Sequence, residues 1–541
     1  MNKRQVGHIV RVSFDFTQDK LRRELKYTKT SRFIPHFAGF SRRIKSIIFP
    51  NFLFICLLCL FFFSRLVNLS KLPLFNDEAM YLNWGRLVVK DPQNLFISLT
   101  DGQQPFFIWL TSLSYGLGKN HWLLAGRMIS VFSGLGTMLV LFYLGKEVFN
   151  QRIGWLMAFL YVVVPFTLWY DRLAIKDSFL SLLATLILYL AWRQTKTRSW
   201  REAILSGVVL GVALLTKSIA YFFVGLYLLT VIVATLNLKS GKKKLTGQLI
   251  KVVVCLSLAW LIQAVMYVSP LSRNIGPKND VFLLSPAEIG HGPISLWRNN
   301  LYSTIIWWWQ YYQLPILFLS LIGLFLLWRS RRIALILILL SWITLPIGFE
   351  ILTAKIYIPR YFLFTFTPFC LIVAYGWQEI LIKLKTKLLA ILFIIMTILP
   401  SLYLDGQLLF SPLTARLPQI ERWQYVDGWP AGYGLKSLVT FLKENYLDKG
   451  KDLLIITEKE TLISSGLSLY LADNDAHFEI ERIFALGLPL PADLPTVAQN
   501  GREVVIILHH NQEIPVSWPV KEVTRIPRLN DNSFFLVYQL N

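Results

Sequence analysis

Eleven runs of apolar residues dominate the first three quarters of the chain, at 47–67, 124–145, 153–170, 174–192, 203–218, 220–237, 249–268, 305–328, 333–350, 361–378 and 388–404. Each comes close to the roughly 20 residues that a helix needs to cross the hydrocarbon core of a bilayer. Short polar or basic segments separate them. After residue 404 the pattern changes, and charged residues return between shorter apolar stretches. There Leu435–Tyr446 predicts an amphipathic helix, Ser464–Leu471 a short helix, and Asp452–Ile456, Val504–Leu508 and Phe534–Leu540 three strands. The expected fold class is therefore an α-helical polytopic membrane protein with about eleven transmembrane helices and a C-terminal α/β domain. Its parts are a basic arm at 1–45, a membrane domain at 46–404 and the α/β domain at 405–541.

Composition excludes a soluble protein of this length. Of the 541 residues, 54% are hydrophobic and only 16% charged, with a mean hydropathy of +0.49, against about 25% charged in soluble domains. The net charge of +23 does not imply nucleic acid, because residues 405–541 carry 12 Lys+Arg against 17 Asp+Glu. The basic excess sits in the arm and in alternate short loops: Lys146 and Arg152; Arg193, Lys196, Arg198 and Arg201; Lys239, Lys242, Lys243 and Lys244; Arg329, Arg331 and Arg332; Lys383, Lys385 and Lys387. Positive charge stays on the cytoplasmic side of a membrane. The N-terminus is accordingly expected inside and everything after residue 404 outside, in a multi-pass protein of the cytoplasmic membrane. The four cysteines all lie in apolar runs, where a thiol behaves as a small hydrophobe.

The acids gather on the other side. Asp77, Glu78, Asp91, Asp101, Asp171, Asp177, Asp280, Glu288 and Glu350 fall in the expected outer loops or at outer helix ends, and ionisable groups beside a bilayer mark function by default. The first outer loop, 68–123, holds FNDEAMY (75–81) and DGQQPFFIWL (101–110), and its composition predicts short helices along the interface. Adjacent Asp77 and Glu78 point in different directions on a helix, so one can act on substrate while the other supports it; a bland alternative makes Asn76 or Asp77 a helix cap. WYDRLAIKD (169–177) adds Arg172 and Asp177, Lys217 lies at the hairpin between the fifth and sixth runs, and Arg360 and Tyr361 open the tenth. Carboxylates beside cations suit a base next to a phosphate-binding set.

The D-E pair, the proline-aromatic stretch ending in W-L, R-L-A-x-x-D, L-T-K and P-R-Y together resemble the dolichyl-phosphate-mannose-protein mannosyltransferase-like GT-C glycosyltransferases, which include the lipid A aminoarabinose transferases. The resemblance spans roughly 47–404. It implies a membrane enzyme that moves a sugar from a polyprenyl-phosphate donor to a lipid, glycan or protein acceptor with inversion. By the same resemblance Asp77 is the general base, Glu78 its support and Asp177 the second acid, while Arg172, Lys217, Arg360 and Tyr361 lie near the donor phosphate. Gln103 stands where the family often has a lysine, which leaves that grip on phosphate unfilled. The sequence requires no metal; whether a divalent cation bridges donor and carboxylate stays open.

Three other features carry competing readings. GWPAGYG (428–434) reads as a rigid linker, with contact of its aromatics at the mouth of the site as the alternative. Asp473-Asn474-Asp475 reads as a turn rather than a metal-binding D-x-D, and His509-His510 lacks spaced partner ligands. A lipid or sugar transporter is the alternative to transfer, but no Walker glycine-lysine motif and no repeated halves are seen. An oligosaccharyltransferase, prompted by Trp307–Trp309, lacks the aspartate that should follow.

Overall fold

The computed structural model describes residues 52–118, 121–197, 199–237, 242–459, 461–484, 490–491, 501–509, 514–529 and 533–540. The basic arm, Arg198, Lys239 and His510 lie outside them. The chain divides into a short unit, 1–62, whose described part is the beginning of α1 (Phe52–Leu66), and a second unit, 63–541.

Each of the eleven apolar runs is mainly helical over its described residues. In chain order the helices are α2 (Asn76–Lys90), α3 (Phe106–Leu117), α4 (Trp122–Val148), α5 (Gln151–Val163), α6 (Pro165–Tyr170), α7 (Lys176–Lys196), α8 (Arg201–Leu214), α9 (Tyr221–Asn237), α10 (Lys242–Ala264), α11 (Ile275–Phe282), α12 (Pro286–Gly290), α13 (Ile294–Arg329), α14 (Ile333–Thr353), α15 (Phe366–Lys383) and α16 (Lys387–Phe410). Seven helical stretches among the described residues are long and apolar enough to cross a membrane. The third expected span is broken, because Val164 turns extended before Pro165, and proline suits the first position of a new helix but not the interior of an old one. A 3₁₀ turn, Pro359–Thr365, precedes α15 and carries Arg360 and Tyr361.

The C-terminal part adds α17 (Gln419–Arg422), α18 (Leu435–Asn445), α19 (Leu462–Tyr470) and five strands, β1 (Leu453–Glu458), β2 (Phe478–Phe484), β3 (Glu503–His509), β4 (Val520–Pro527) and β5 (Phe534–Leu540). They form one mixed sheet ordered β2-β1-β3-β5-β4, parallel across β2-β1-β3 and antiparallel across β3-β5-β4. The three strands expected from sequence are its centre. The two added strands are its edges, where charged residues alternate with apolar ones because one face meets solvent.

One face of the sheet has a core of its own, Leu454, Ile456, Phe484, Ile506, Leu508 and Trp518, and the other face is shared. Leu453, Ile455, Val505 and Leu438 share one buried cluster with Leu74, Ala79 and Leu82 at the start of the first loop. At the far end of α2, Asp475 accepts from Arg86 at 2.6 Å and Lys90 at 3.2 Å. Its neighbours Ala472–Asn474 make the expected turn, and the D-x-D stretch thus docks the sheet domain on α2.

Candidate active site

The geometry of α2 begins with Glu78 rather than with a capping side chain. Phe75 is the N-cap, and the Glu78 carboxylate turns back to accept the Phe75 N–H at 3.0 Å, so neither Asn76 nor Asp77 caps the helix. The same carboxylate takes a bidentate pair from Arg127, both bonds 2.8 Å, and the Ala174 N–H at 2.7 Å. Arg127 spends its other donors on the carbonyls of Leu69, Leu72 and Pro73. Both side chains are wholly buried. Glu78 therefore holds the first loop against α4 and the turn before α7, and this sets the position of Asp77.

Asp77, next in chain, points into a cavity of about 730 Å³. Its Oδ2 accepts from Arg360 at 2.6 Å. Burial alone would raise this carboxyl, but the charge and hydrogen bond of Arg360 outweigh it and hold it below the usual carboxylate range. Across the cavity Asp177, on the first turn of α7, accepts from Lys217 at 2.6 Å. Lys217 also sits 4.2 Å from the ring centre of Tyr361, a cation–π contact. A third pair joins Asp101 to Lys278 of α11 at 2.5 Å. Gly102, with a φ of +65°, turns the chain there against the Asn274 carbonyl, where a side chain would collide. Gln103 follows, donating to Asp101 at 2.9 Å and accepting from Lys176 at 2.6 Å.

Thus Asp77, Asp177, Lys217, Arg360, Tyr361 and Gln103, expected from sequence, all line one cavity. Two expected residues do not. Glu78 is sealed behind Asp77. Arg172 is buried elsewhere, its guanidinium donating to the carbonyls of Ser64 and Arg65 at 2.9 and 3.0 Å, so it orders a helix junction and does not line the cavity. Sequence reasoning missed Lys176, although it immediately precedes Asp177, and Lys278, which sits in a polar stretch with no motif.

The remaining wall is apolar, with Ile219, Phe222, Leu283, Phe349, Ile356 and Ile358 among its residues. The roof comes from beyond the last helix of the bundle: Ile420, Trp423, Gln424, Trp429 and Pro430. GWPAGYG is accordingly part of the cavity and not a mere linker. Pro430 accepts the Asn76 N–H at 3.0 Å, and Gly432 packs on the Leu74 carbonyl so closely that no Cβ fits. From the β4–β5 hairpin, Arg528 gathers the carbonyls of Gly428 (2.9 Å), Trp429 (3.3 Å), Ala431 and Tyr433 (3.3 Å). The ring of His509, whose Nδ1 bonds the buried Glu458 carboxylate at 2.6 Å, packs on Trp429. Behind the roof Trp169 donates to Glu421 at 3.1 Å, and burial pushes that carboxyl up to about 7.

The chain is thus a helical bundle with a cavity of carboxylates and cations under a C-terminal sheet domain. Within it, residues 102–261 match the sequence profile of the dolichyl-phosphate-mannose-protein mannosyltransferases. The fold is similar to ArnT from Cupriavidus metallidurans in the apo state, with a TM-score of 0.55, 14% identity, and 91% of this chain and 98% of that chain covered. It is equally similar to ArnT bound to undecaprenyl phosphate, at TM-score 0.53, 14% identity, and 90% and 98% coverage. The Archaeoglobus fulgidus oligosaccharyltransferase AglB, in complex with an inhibitory peptide and a dolichol-phosphate, gives TM-score 0.53, 12% identity, and 86% and 70% coverage. No curated protein matches the chain in sequence.

Proposed function

We propose that the chain is a membrane glycosyltransferase that moves a sugar from a polyprenyl-phosphate donor to an acceptor hydroxyl by inverting displacement. One observation carries the reading: three carboxylates, Asp77, Asp101 and Asp177, each held by a cation, line a cavity whose other wall is largely apolar. The acceptor oxygen attacks the anomeric carbon, the bond from that carbon to the phosphate oxygen breaks, and the acceptor proton passes to Asp77. Arg360 and Lys217 stabilise the charge left on the departing polyprenyl phosphate, and the apolar wall receives the beginning of its hydrocarbon chain. The ArnT structure with undecaprenyl phosphate and the AglB structure with dolichol-phosphate support a lipid-phosphate ligand for this architecture.

The ion pairs suggest an order of events. While Arg360 is committed to Asp77, that carboxylate is a weak base. An incoming phosphate shares Arg360 and so raises the basicity of Asp77 when the donor is in place.

The direct test is a transfer assay with the purified full chain and a panel of polyprenyl-phosphate pentoses and hexoses, with products read by mass spectrometry. Release of polyprenyl phosphate with a glycosylated product is expected for at least one donor. Sugar-lipid flux across proteoliposomes without any transfer would replace this reading with a transporter.

We place the cavity on the extracytoplasmic side, on the strength of the basic loops at the opposite helix ends. A cysteine replacing exposed Lys436, in a background freed of the native cysteines, should react with an impermeant maleimide in intact cells. Labelling only after lysis would invert the topology.

A further inference from the structure

The four cations of the cavity are not equivalent. Lys217, Lys278 and Arg360 each hold a carboxylate at 2.5–2.6 Å. Lys176 does not. Its ammonium forms no ion pair with any described residue, and the partner it has is neutral, the Gln103 amide oxygen at 2.6 Å. The side chain is 93% buried, since only 7% of its surface is exposed. The Tyr81 ring, 5.1 Å from the ammonium, closes another side. The carboxylates that act on its charge, Asp77, Asp101 and Asp177, are each bound directly to another cation, and the desolvation cost of a buried ammonium without a direct ion pair is offset by an anionic ligand in contact with it.

Position narrows that ligand. Lys176 precedes Asp177 and reaches Gln103, so it lies between the Lys217–Asp177 pair and the first loop, on the wall shared with Asp77 and Tyr81. Among the described residues lining the cavity, the carboxylate without an ion pair is Glu350, on α14 beside the apolar Phe349. An acid on that wall repels an anion, and Lys176 is left as the cation free to receive one.

Resting on the transfer reading given above, we infer that Lys176 is the primary ligand of the donor phosphate and that Gln103 positions it. The amide orients the ammonium, and a phosphate oxygen takes its place as acceptor when the donor enters. Gln103 can yield this bond because its own amide is anchored to Asp101, which Lys278 holds in turn. No covalent step is involved; the change is one of hydrogen-bond partner.

The shared chemistry is a phosphate oxygen, from a lipid head group or from free phosphate. Binding is therefore measured on the full chain in nanodiscs with undecaprenyl phosphate, with inorganic phosphate, and with neutral undecaprenol. Lys176→Gln should weaken the lipid phosphate about tenfold to hundredfold, the worth of one charge-assisted hydrogen bond, and leave undecaprenol unchanged. Lys176→Arg should keep most of the affinity. The exchange of Gln103→Lys with Lys176→Gln should restore it, since the ammonium then reaches the same point from the first loop. That recovery separates a ligand from a residue needed only for folding.

Undiminished undecaprenyl phosphate binding by Lys176→Gln, with the wild type binding, overturns this inference and leaves the transfer reading standing. Failure of both Lys176→Arg and the exchange to restore binding overturns it as well. Wild-type binding of inorganic phosphate alone overturns the lipid assignment. If the wild type binds none of the polyprenyl phosphates, the transfer reading fails first and this inference with it.

Discussion

Asp77→Asn should lower turnover by about 10²- to 10⁴-fold, the range expected when a general base is removed from a proton transfer, while donor binding is no weaker than in the wild type. The second half of this expectation comes from the ion pair. Asp77 holds Arg360 at 2.6 Å, so a neutral asparagine frees that guanidinium for the phosphate. Turnover should therefore fall without a fall in donor affinity, which unfolding or a collapsed cavity cannot produce. Single-turnover rates with saturating donor, beside equilibrium binding of polyprenyl phosphate, measure both. Near-normal turnover in the folded variant would remove Asp77 from the reaction.

Arg127→Met, on α4, should destabilise the fold by about 3–5 kcal/mol, because it leaves Glu78 as a wholly buried lone charge under the first loop. It also strips three backbone carbonyls of a donor. Adding Glu78→Gln should recover part of the loss, since the amide is neutral and can still accept the Ala174 or Phe75 N–H. Thermal and denaturant unfolding of the single and double variants in one detergent gives the comparison. A single variant as stable as the wild type would show that the loop is held by packing alone.

The helical part of the fold was legible because a bilayer demands long uninterrupted apolar runs, and such runs have few other uses. Helix starts were less legible where the first turns are polar: α13 begins at Ile294, eleven residues before the apolar run at 305, because Arg298, Asn299 and Asn300 mask it. The edge strands β2 and β4 escaped for a related reason, as FEIERIF and VKEVTRIP carry charges on the face turned to solvent.

For the site, motifs found the residues whose chemistry is written in a single side chain. Asp77, Asp177, Lys217 and Arg360 are acids and bases at helix ends, and they do converge. Roles set by partners were not readable. Arg172 looks like a phosphate ligand until its guanidinium is found on two carbonyls, and Lys176 looks like an ordinary interfacial lysine until its neighbours turn out to be engaged elsewhere. Spacing along a chain does not reveal which charges are already neutralised.

The clasp of Arg528 on residues 428–433 has an evolutionary corollary. The turn and its anchor lie about a hundred residues apart, yet four carbonyls of one depend on a single guanidinium of the other. Neither can drift alone without loosening the wall on which Trp429 stands. New specificity on this scaffold is then most readily acquired by inheriting the hairpin and the aromatic turn as a linked cassette, with the bundle beneath them left unchanged.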